Sequence, residues 1–278
     1  MNRPVAVPTT DARQSALVAW LESLKSRYGI ATSSLRPASV DASFRRYFRV
    51  DAADGSLIVM DAPPETEDSR PYVHVAALMK SAHINVPEIF ESDLAKGFLL
   101  LSDLGSTTYL SVLNEDNASR LFHDAIDTII RWQLATRSGV LPPYDEALLR
   151  RELRLFPDWY VTRHLQRTLT AEQAETLEDV CTRIVAANLA QPKVFVHRDY
   201  MPRNLMVSAP NPGVLDFQDA VIGPIAYDVV SLFRDAFISW DDDRVREWCE
   251  QYWQQAQCEG LPVHADFDRF WRDFEWMG

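Results

Sequence analysis

The chain has 278 residues, of which 47% are hydrophobic and 24% are charged, as in a folded globular protein with a sizeable core. Its 28 basic and 40 acidic residues leave a net charge of −12, which repels polyanions and argues against nucleic acid as a partner. The sequence has no run of about eighteen apolar residues and no secretory signal, so we expect a cytoplasmic protein that does not insert into a membrane. It also has no CxxC pair, so we expect neither a disulfide framework nor a zinc site made of cysteines.

The first hundred residues predict a small lobe built mostly of strands, with some helices. Apolar residues recur at helical spacing in residues 17–24, which predicts a helix with a core-packing face. Residues 42–50 and 56–60 are rich in strand formers and flank an Asp54-Gly55 turn, which predicts a hairpin. Farther along, the pattern predicts a helix and then two strands, at residues 72–81, 86–91 and 97–101.

From residue 104 onward the pattern is mainly helical. Two long stretches of helical periodicity cover residues 110–136 and 146–188, and helices resume after the Gly223-Pro224 break, at residues 227–237 and 244–257. Three short strands are predicted between them, at residues 193–196, 205–207 and 214–217. We therefore predict an α+β fold with two lobes, residues 1–103 and 104–278.

The last predicted helix carries an apolar stripe at i, i+3, i+4 and i+7 spacing, formed by Phe267, Phe270, Trp271 and Phe274. Such a face needs a partner. Either it packs on the helical lobe behind it, or further helices of a longer native chain cover it. Gly278 is also a residue type that ends helices, so both alternatives stay open.

The most informative segment is VFVHRDYMPRNLMV, residues 194–207, in which an apolar strand leads into Asp199 and Asn204 follows five positions later. This is the spacing of a kinase catalytic loop. A carboxylate there can accept the proton of an attacking hydroxyl, and a neutral amide oxygen can bind Mg²⁺. Asp216, in the segment VLDFQ, can hold the metal that bridges the nucleotide phosphates. We predict Asp199 as the catalytic base and Asn204 and Asp216 as metal ligands.

Each of these residue types is common in turns and loops when taken alone. Their occurrence together, at the required spacing on a strand, loop and strand, indicates catalysis. His197 is predicted to hydrogen-bond the loop as a structural histidine. For Asp228 two readings stay open, an ordinary first-turn helix residue and a buried support for the catalytic loop.

The segments HRDYMPRN and LDFQDAVIGPIAYD resemble the aminoglycoside phosphotransferase and choline kinase superfamily, a branch of the protein-kinase-like fold. More narrowly, SFRRYFRV, LIVMDAPPETED, LLLSDLG and GVLDFQDAVIGPIAYDVVSL are similar to the bacterial N-acetylmuramate/N-acetylglucosamine anomeric kinases of cell-wall recycling. The resemblance spans nearly the whole chain. It implies ATP-dependent phosphorylation of the C1 hydroxyl of an amino sugar, and a C-terminus longer than the one in this sequence.

The chain departs from protein kinases at the two lysines that hold phosphate, since Met60 and Met201 stand in their places. The arginines of the first hairpin strand are the candidate replacements, and the backbone and hydroxyl of Ser43 can cradle phosphate. The resemblance implies that adenine hydrogen-bonds the backbone of Ser102 and Leu104. The predicted nucleotide-binding residues are Ser43, Phe44, Arg45, Arg46, Ser102 and Leu104.

Only residues 217–223 separate Asp216 from the next break, which leaves no room for the activation loop of a protein kinase, so a small substrate is predicted. The resemblance implies that this substrate is an amino sugar. Arg203 is the candidate for the lactyl carboxylate of muramate or for phosphate, and Asp219 for sugar hydroxyls. Two alternatives stay open: an aminoglycoside or other amino-alcohol kinase, which the acidic charge would suit, and a nucleotide-binding pseudokinase, which the missing lysines would suit. The sequence makes no prediction of oligomeric state.

Overall fold

The computed structural model describes residues 10–39 and 45–278, and these fall into two compact units. The first unit holds the described residues up to Leu78 together with Val86–Gly105. The second holds Met79–Asn85 and Ser106–Gly278. The lobe boundary after residue 103 stays a prediction.

The first unit is built on an antiparallel five-stranded sheet in the order β1-β2-β3-β5-β4. Its elements are α1 (Thr10–Tyr28), β1 (Ala31–Ser39), β2 (Arg46–Ala52), β3 (Gly55–Asp61), α2 (Arg70–Ser81), β4 (Ile89–Asp93) and β5 (Phe98–Ser102). The predicted hairpin is confirmed as β2 and β3, which pair from Arg46↔Asp61 to Ala52↔Gly55. Gly55 has a φ of 125°, which only glycine adopts without strain.

The core of the first unit lies between α1 and one face of this sheet. Leu17 and Leu21 of α1 are fully buried with Val50, Val59 and Phe98, which confirms the predicted core-packing face. Strand β1 was not predicted, because its segment ATSSLRPAS has few strand formers and contains a proline. It is an edge strand with two irregularities in its register, where proline is tolerated.

The second unit is mainly helical. Its helices are α3 (Tyr109–Val112), α4 (Ala118–Leu134), α5 (Glu146–Leu153), a π-helical segment (Phe156–His164), α6 (Ala171–Leu189), α7 (Tyr227–Phe233), α8 (Asp242–Cys258) and α9 (Phe267–Met277). The two long stretches of helical periodicity, residues 110–136 and 146–188, are therefore each divided into shorter helices. At the first break, Asn114 and Asn117 side chains accept backbone N–H bonds and replace helical ones. At the second, α6 begins with a Thr170–Gln173 capping box.

Four short strands lie between these helices: β6 (Lys193–Val196), β7 (Leu205–Met206), β8 (Gly213–Val214) and β9 (Val221–Pro224). They form two antiparallel pairs, β6 with β9 and β7 with β8. The strand predicted for residues 214–217 is wrong beyond Val214, because the chain leaves the ladder and Asp216 takes a positive φ of 64°. The predicted Gly223-Pro224 break is the end of β9, where proline is tolerated at the end of an edge strand.

The C-terminal apolar stripe packs within the second unit, as the first of the two alternatives predicted. Phe270 and Phe274 are fully buried, and the ring of Phe270 stacks 5.5 Å from that of Tyr252 on α8. Over the described residues, the helices are too short or too polar to span a bilayer.

Candidate active site

The three predicted catalytic residues are brought together by β6 and the β7/β8 pair. Asp199 follows β6, and a single 3₁₀ turn, Pro202–Asn204, leads from the loop into β7. The Asn204 side-chain amide donates to the backbone carbonyl of Asp199 at 2.9 Å. The backbone N–H of Leu215, next to Asp216, donates to the carbonyl of Asn204 at 2.9 Å. Hydrogen bonds therefore link all three positions.

Asp228, at the start of α7, supports the catalytic loop through hydrogen bonds. It is fully buried, and its two carboxylate oxygens accept the backbone N–H bonds of His197 at 2.7 Å and Arg198 at 2.9 Å. Of the two readings left open for Asp228, the structure shows the buried support. Its hydrogen bonds fix the backbone immediately before Asp199.

His197 is a structural residue, as predicted. Its ring is fully buried, Nε2 lies 3.0 Å from the carbonyl of Leu215, and Nδ1 lies 3.2 Å from the backbone N–H of Asp199. Nε2–H therefore donates and Nδ1 accepts, which is the neutral tautomer. Burial lowers the pKa of His197 to about 4. The ring connects the segment before Asp199 to the segment before Asp216.

Asp199 has the electrostatic environment of a general base. Burial and the nearby charge of Asp216 raise its pKa to about 6, while the charges of Arg198 and Arg203 act in the opposite direction. A carboxylate with a raised pKa accepts a proton more readily than an ordinary one. The site thus contains a carboxylate whose raised pKa suits the predicted role of Asp199 as a base.

The backbone on both sides of the site adopts conformations that are unfavourable for these residues. Arg198 has a φ of 78° and Asp216 a φ of 64°, in the left-handed region that favours glycine. Such conformations persist only where the surroundings hold them, and they are concentrated at functional sites. Here the Asp228 carboxylate holds the Arg198 N–H at 2.9 Å, and Gln218 Nε2 donates to Asp216 Oδ1 at 2.9 Å.

The predicted metal ligands have oxygens that suit Mg²⁺. The Asn204 amide is oriented by its Nδ2 bond to Asp199, and within the described residues no hydrogen bond reaches its Oδ1 or the Oδ2 of Asp216. One amide oxygen and one carboxylate oxygen are hard donors, and Mg²⁺ takes only one or two protein groups when it also binds phosphates. A cation there would also offset the repulsion between Asp199 and Asp216. The residues present fit the metal.

Arg203 and Asp219, the predicted substrate residues, are exposed, and both are near enough for their charges to act on Asp199. The charge of Arg203 lowers and that of Asp219 raises the pKa of Asp199. The guanidinium of Arg203 also lies over the ring of Phe237, 5.4 Å from its centroid. Asp219 Oδ2 accepts from Gln218 Nε2 at 3.3 Å.

An ion pair that the sequence did not predict lies behind the catalytic loop. Arg198 Nη2 lies 2.5 Å from Glu152 Oε1 on α5, and Tyr144 O–H donates to the other oxygen of Glu152. Only 20% of the Arg198 side chain and 26% of the Glu152 side chain are exposed. The residues are 46 positions apart, so no local pattern could have paired them.

The predicted nucleotide-binding residues lie in the first unit, and Ser43 and Phe44 fall outside the described residues. Arg45 Nη2 pairs with Glu67 at 3.1 Å, and Arg46 Nε donates to the buried Asp61 at 3.0 Å. The backbone N–H of Ser102 donates to the carbonyl of Glu88 at 2.9 Å, and Leu104 is half-buried. Met60, which stands in the place of a lysine, is fully buried.

Comparison with known sequences identifies close relatives. The profile of the phosphotransferase enzyme family matches residues 34–267. A Pseudomonas putida protein named N-acetylmuramate/N-acetylglucosamine kinase is 52% identical over 98% of this chain and 82% of its own length. Proteins of the same name from Pseudomonas aeruginosa and Neisseria meningitidis are 52% and 44% identical, each over 96% of this chain and at least 80% of their own.

Solved structures agree on the fold. Aminoglycoside phosphotransferase APH(2'')-Ib with ADP bound superposes with a TM-score of 0.62 over 92% of this chain and 95% of that one, at 14% identity. The ternary complex of APH(2'')-IIa with streptomycin and ATP superposes with a TM-score of 0.60 over 92% of this chain and 86% of that one, at 15% identity. These likenesses confirm the predicted α+β, protein-kinase-like fold. Together with the sequence matches, they show that the chain belongs to the phosphotransferase enzyme family and is a small-molecule phosphotransferase.

Proposed function

We propose that this protein transfers the γ-phosphoryl group of ATP to the anomeric C1 hydroxyl of N-acetylmuramate or N-acetylglucosamine. The observation that carries the proposal is that relatives with this sugar-kinase name are 44% to 52% identical over nearly the whole chain. The convergence of Asp199, Asn204 and Asp216 supplies the chemistry that phosphoryl transfer needs. A cytoplasmic location, where ATP is available, is part of the proposal.

Asp199 orients the attacking hydroxyl and accepts its proton, and the loop bonds to His197 and Asp228 keep the base in place. Asn204 Oδ1 and Asp216 would hold Mg²⁺, and the ion would supply positive charge to offset the negative charge of the transferring phosphoryl group. Arg203, exposed beside Asp199, binds the lactyl carboxylate of muramate or a phosphate oxygen. Asp219 accepts sugar hydroxyls.

Nucleotide binding is assigned to the first unit. The contact of Arg45 with Glu67 orients its guanidinium, which carries a permanent positive charge. The same holds for Arg46 on Asp61. We assign these arginines the charge that the missing lysines would provide, with Ser43 and Phe44 on the phosphates and the backbone of Ser102 and Leu104 on adenine.

An anomeric acceptor suits the base. The ring oxygen withdraws electron density from C1, so this hydroxyl is more acidic than the C6 alcohol. A carboxylate with a pKa of about 6, as at Asp199, therefore removes its proton more readily. The C1 hydroxyl is the expected site of phosphorylation and the C6 hydroxyl is not.

The deciding experiment compares N-acetylglucosamine with its methyl glycoside, which keeps C6 but blocks C1. We expect phosphate transfer from labelled ATP to the free sugar alone, with a product whose phosphorus NMR shows a C1 phosphate. Turnover of the methyl glycoside at a similar rate would refute the anomeric assignment. Efficient phosphorylation of kanamycin without activity on either free sugar would favour the aminoglycoside alternative instead.

A further inference from the structure

A cavity of about 500 Å³ lies within the second unit, next to the catalytic loop. Pockets for small ligands typically have volumes of about 300 to 1,000 Å³, so this one is large enough for a single sugar. Its wall is mostly apolar and aromatic, with a few polar groups. Its lining includes Glu152, Met201, Tyr227, Asp235 and Phe237.

The cavity and the catalytic loop share a wall. Met201, two residues after Asp199, lines the cavity, and the guanidinium of Arg203 covers the ring of Phe237 on its rim. Glu152, also in the lining, holds the guanidinium of Arg198 at 2.5 Å. A molecule in the cavity would thus contact Met201, two residues after Asp199, and Glu152, which holds the residue before it.

Asp235 is the polar group in this wall whose hydrogen bonding is incomplete. It is 9% exposed; Oδ1 accepts the backbone N–H of Phe237 at 3.2 Å, and the buried Oδ2 has no partner among the described residues. The neighbouring Arg234 does not neutralise it, because that guanidinium pairs with Asp242 at 3.1 Å and lies over Phe274. A buried carboxylate oxygen without a donor is unfavourable, which makes it a receptor for one.

We propose that this cavity binds the acceptor sugar and that Asp235 Oδ2 accepts a hydrogen bond from one of its hydroxyl or amide N–H groups. This inference rests on the proposed function and adds a residue that determines acceptor specificity. Tyr227 and Phe237 offer aromatic surface to the C–H groups of the ring; Phe237 is 60% exposed, as in a ligand-binding groove. The negative charge of Asp235 excludes the lactyl carboxylate of muramate from its vicinity, and that group faces Arg203.

The test is the substitution Asp235→Asn. Asparagine keeps an oxygen for the Phe237 N–H but replaces the second oxygen with a donor, which would face the donor on the sugar. We expect KM for N-acetylglucosamine to rise about 10- to 100-fold, the range for a hydrogen bond to a charged group, with Mg-ATP affinity unchanged. Asp243→Asn, which removes the same charge from the exposed first turn of α8, should match the wild type.

Deoxy analogues identify the donor. For the wild-type enzyme, one analogue that lacks a single hydroxyl or the acetamido group should have a higher KM than N-acetylglucosamine. The increase should be similar in size to the increase in KM that Asp235→Asn causes for N-acetylglucosamine. The variant should treat that analogue and N-acetylglucosamine alike. The role of Asp235 is refuted if Asp235→Asn has the same KM as Asp243→Asn and still disfavours each deoxy analogue as strongly as the wild type does. The proposed function stands in that case, provided that the wild type phosphorylates the sugar.

Two further measurements keep the result decisive. Thermal unfolding and Mg-ATP binding report whether Asp235→Asn is folded, and Phe237→Ala, at an exposed ring, tests the same cavity if it is not. Phe237→Ala should also raise KM for the sugar and leave Mg-ATP affinity unchanged; no change in that KM would overturn the cavity assignment. A wild-type enzyme without activity on any amino sugar would instead refute the proposed function, and the sugar assignment with it.

Discussion

Acidification should destabilise this protein through His197. The ring is fully buried, and both of its nitrogens are engaged in the neutral form, Nε2–H with the Leu215 carbonyl and Nδ1 with the Asp199 N–H. A proton on Nδ1 would place two donors against each other inside the protein. Protonation therefore requires local or global opening of the catalytic loop.

The direction and size of the expected change in stability follow from the pKa of His197. Burial lowers the pKa of His197 from 6.5 to about 4, so the folded state binds this proton less readily than the unfolded state. The stabilisation is fully present above about pH 6.5 and is lost as the pH falls towards 4. At about 1.36 kcal/mol per pKa unit, the loss is about 3 kcal/mol. Asp228 has the opposite sign, because burial raises its pKa to about 7 and favours the folded state as the pH falls.

A difference measurement isolates His197 from Asp228 and other groups. Urea unfolding of the wild type and His197→Gln is followed at several pH values between 7.5 and 4. The free-energy gap between them should narrow by about 3 kcal/mol on acidification. His123→Gln, at a histidine whose side chain is 55% exposed, should give a gap that does not vary in this way. A constant gap for His197→Gln would show that the neutral ring is not what the loop requires.

Three further substitutions test the site. Asp199→Asn should lower kcat by about 10² to 10⁴-fold and spare Mg-ATP affinity; retention of more than about a tenth of wild-type kcat would contradict the base assignment. Asp216→Ala should weaken Mg²⁺-dependent ATP binding, because a charged ligand is lost, and calorimetry with unchanged affinity would exclude the metal role. Glu152→Gln should lower kcat about tenfold and stability by about 1 to 2 kcal/mol, less than for a fully buried pair because both groups are partly exposed. A loss of stability at unchanged kcat would make the pair with Arg198 purely structural.

The catalytic loop could be predicted from the sequence because its chemistry and its spacing are local. Asn204 follows Asp199 by five positions, and the single turn between them lets the Asn204 amide reach the Asp199 carbonyl. The apolar periodicity of α1 was informative for the same reason, since Leu17 and Leu21 lie one turn apart on one face. Contacts between residues within about one or two turns of each other can be predicted from their spacing in the sequence.

Other elements were missed because their structure is decided by neighbours distant in the sequence. β1 has weak strand formers and is a strand because its edge pairs with β2. Gly223 and Pro224 look like a break, yet they pair with Val194 and Lys193 across β6. A Cβ at position 223 would lie 3.0 Å from the Cβ of Tyr144, so this glycine allows a close approach, a tertiary requirement that no local pattern reveals.

The environment of the base belongs to this second, non-local class. The pKa of Asp199 is set by burial and by Asp216, while Arg198 counteracts them. Arg198 is in turn held by Glu152 through its side chain and by Asp228 through its N–H, from two different helices. The motif therefore predicts which groups react, whereas the helices of the second unit set how strongly basic the Asp199 carboxylate is. A related chain with the same catalytic-loop sequence but without the equivalents of Glu152 and Asp228 should have a more mobile loop. Its phosphoryl transfer should also be slower, even with its reacting residues intact.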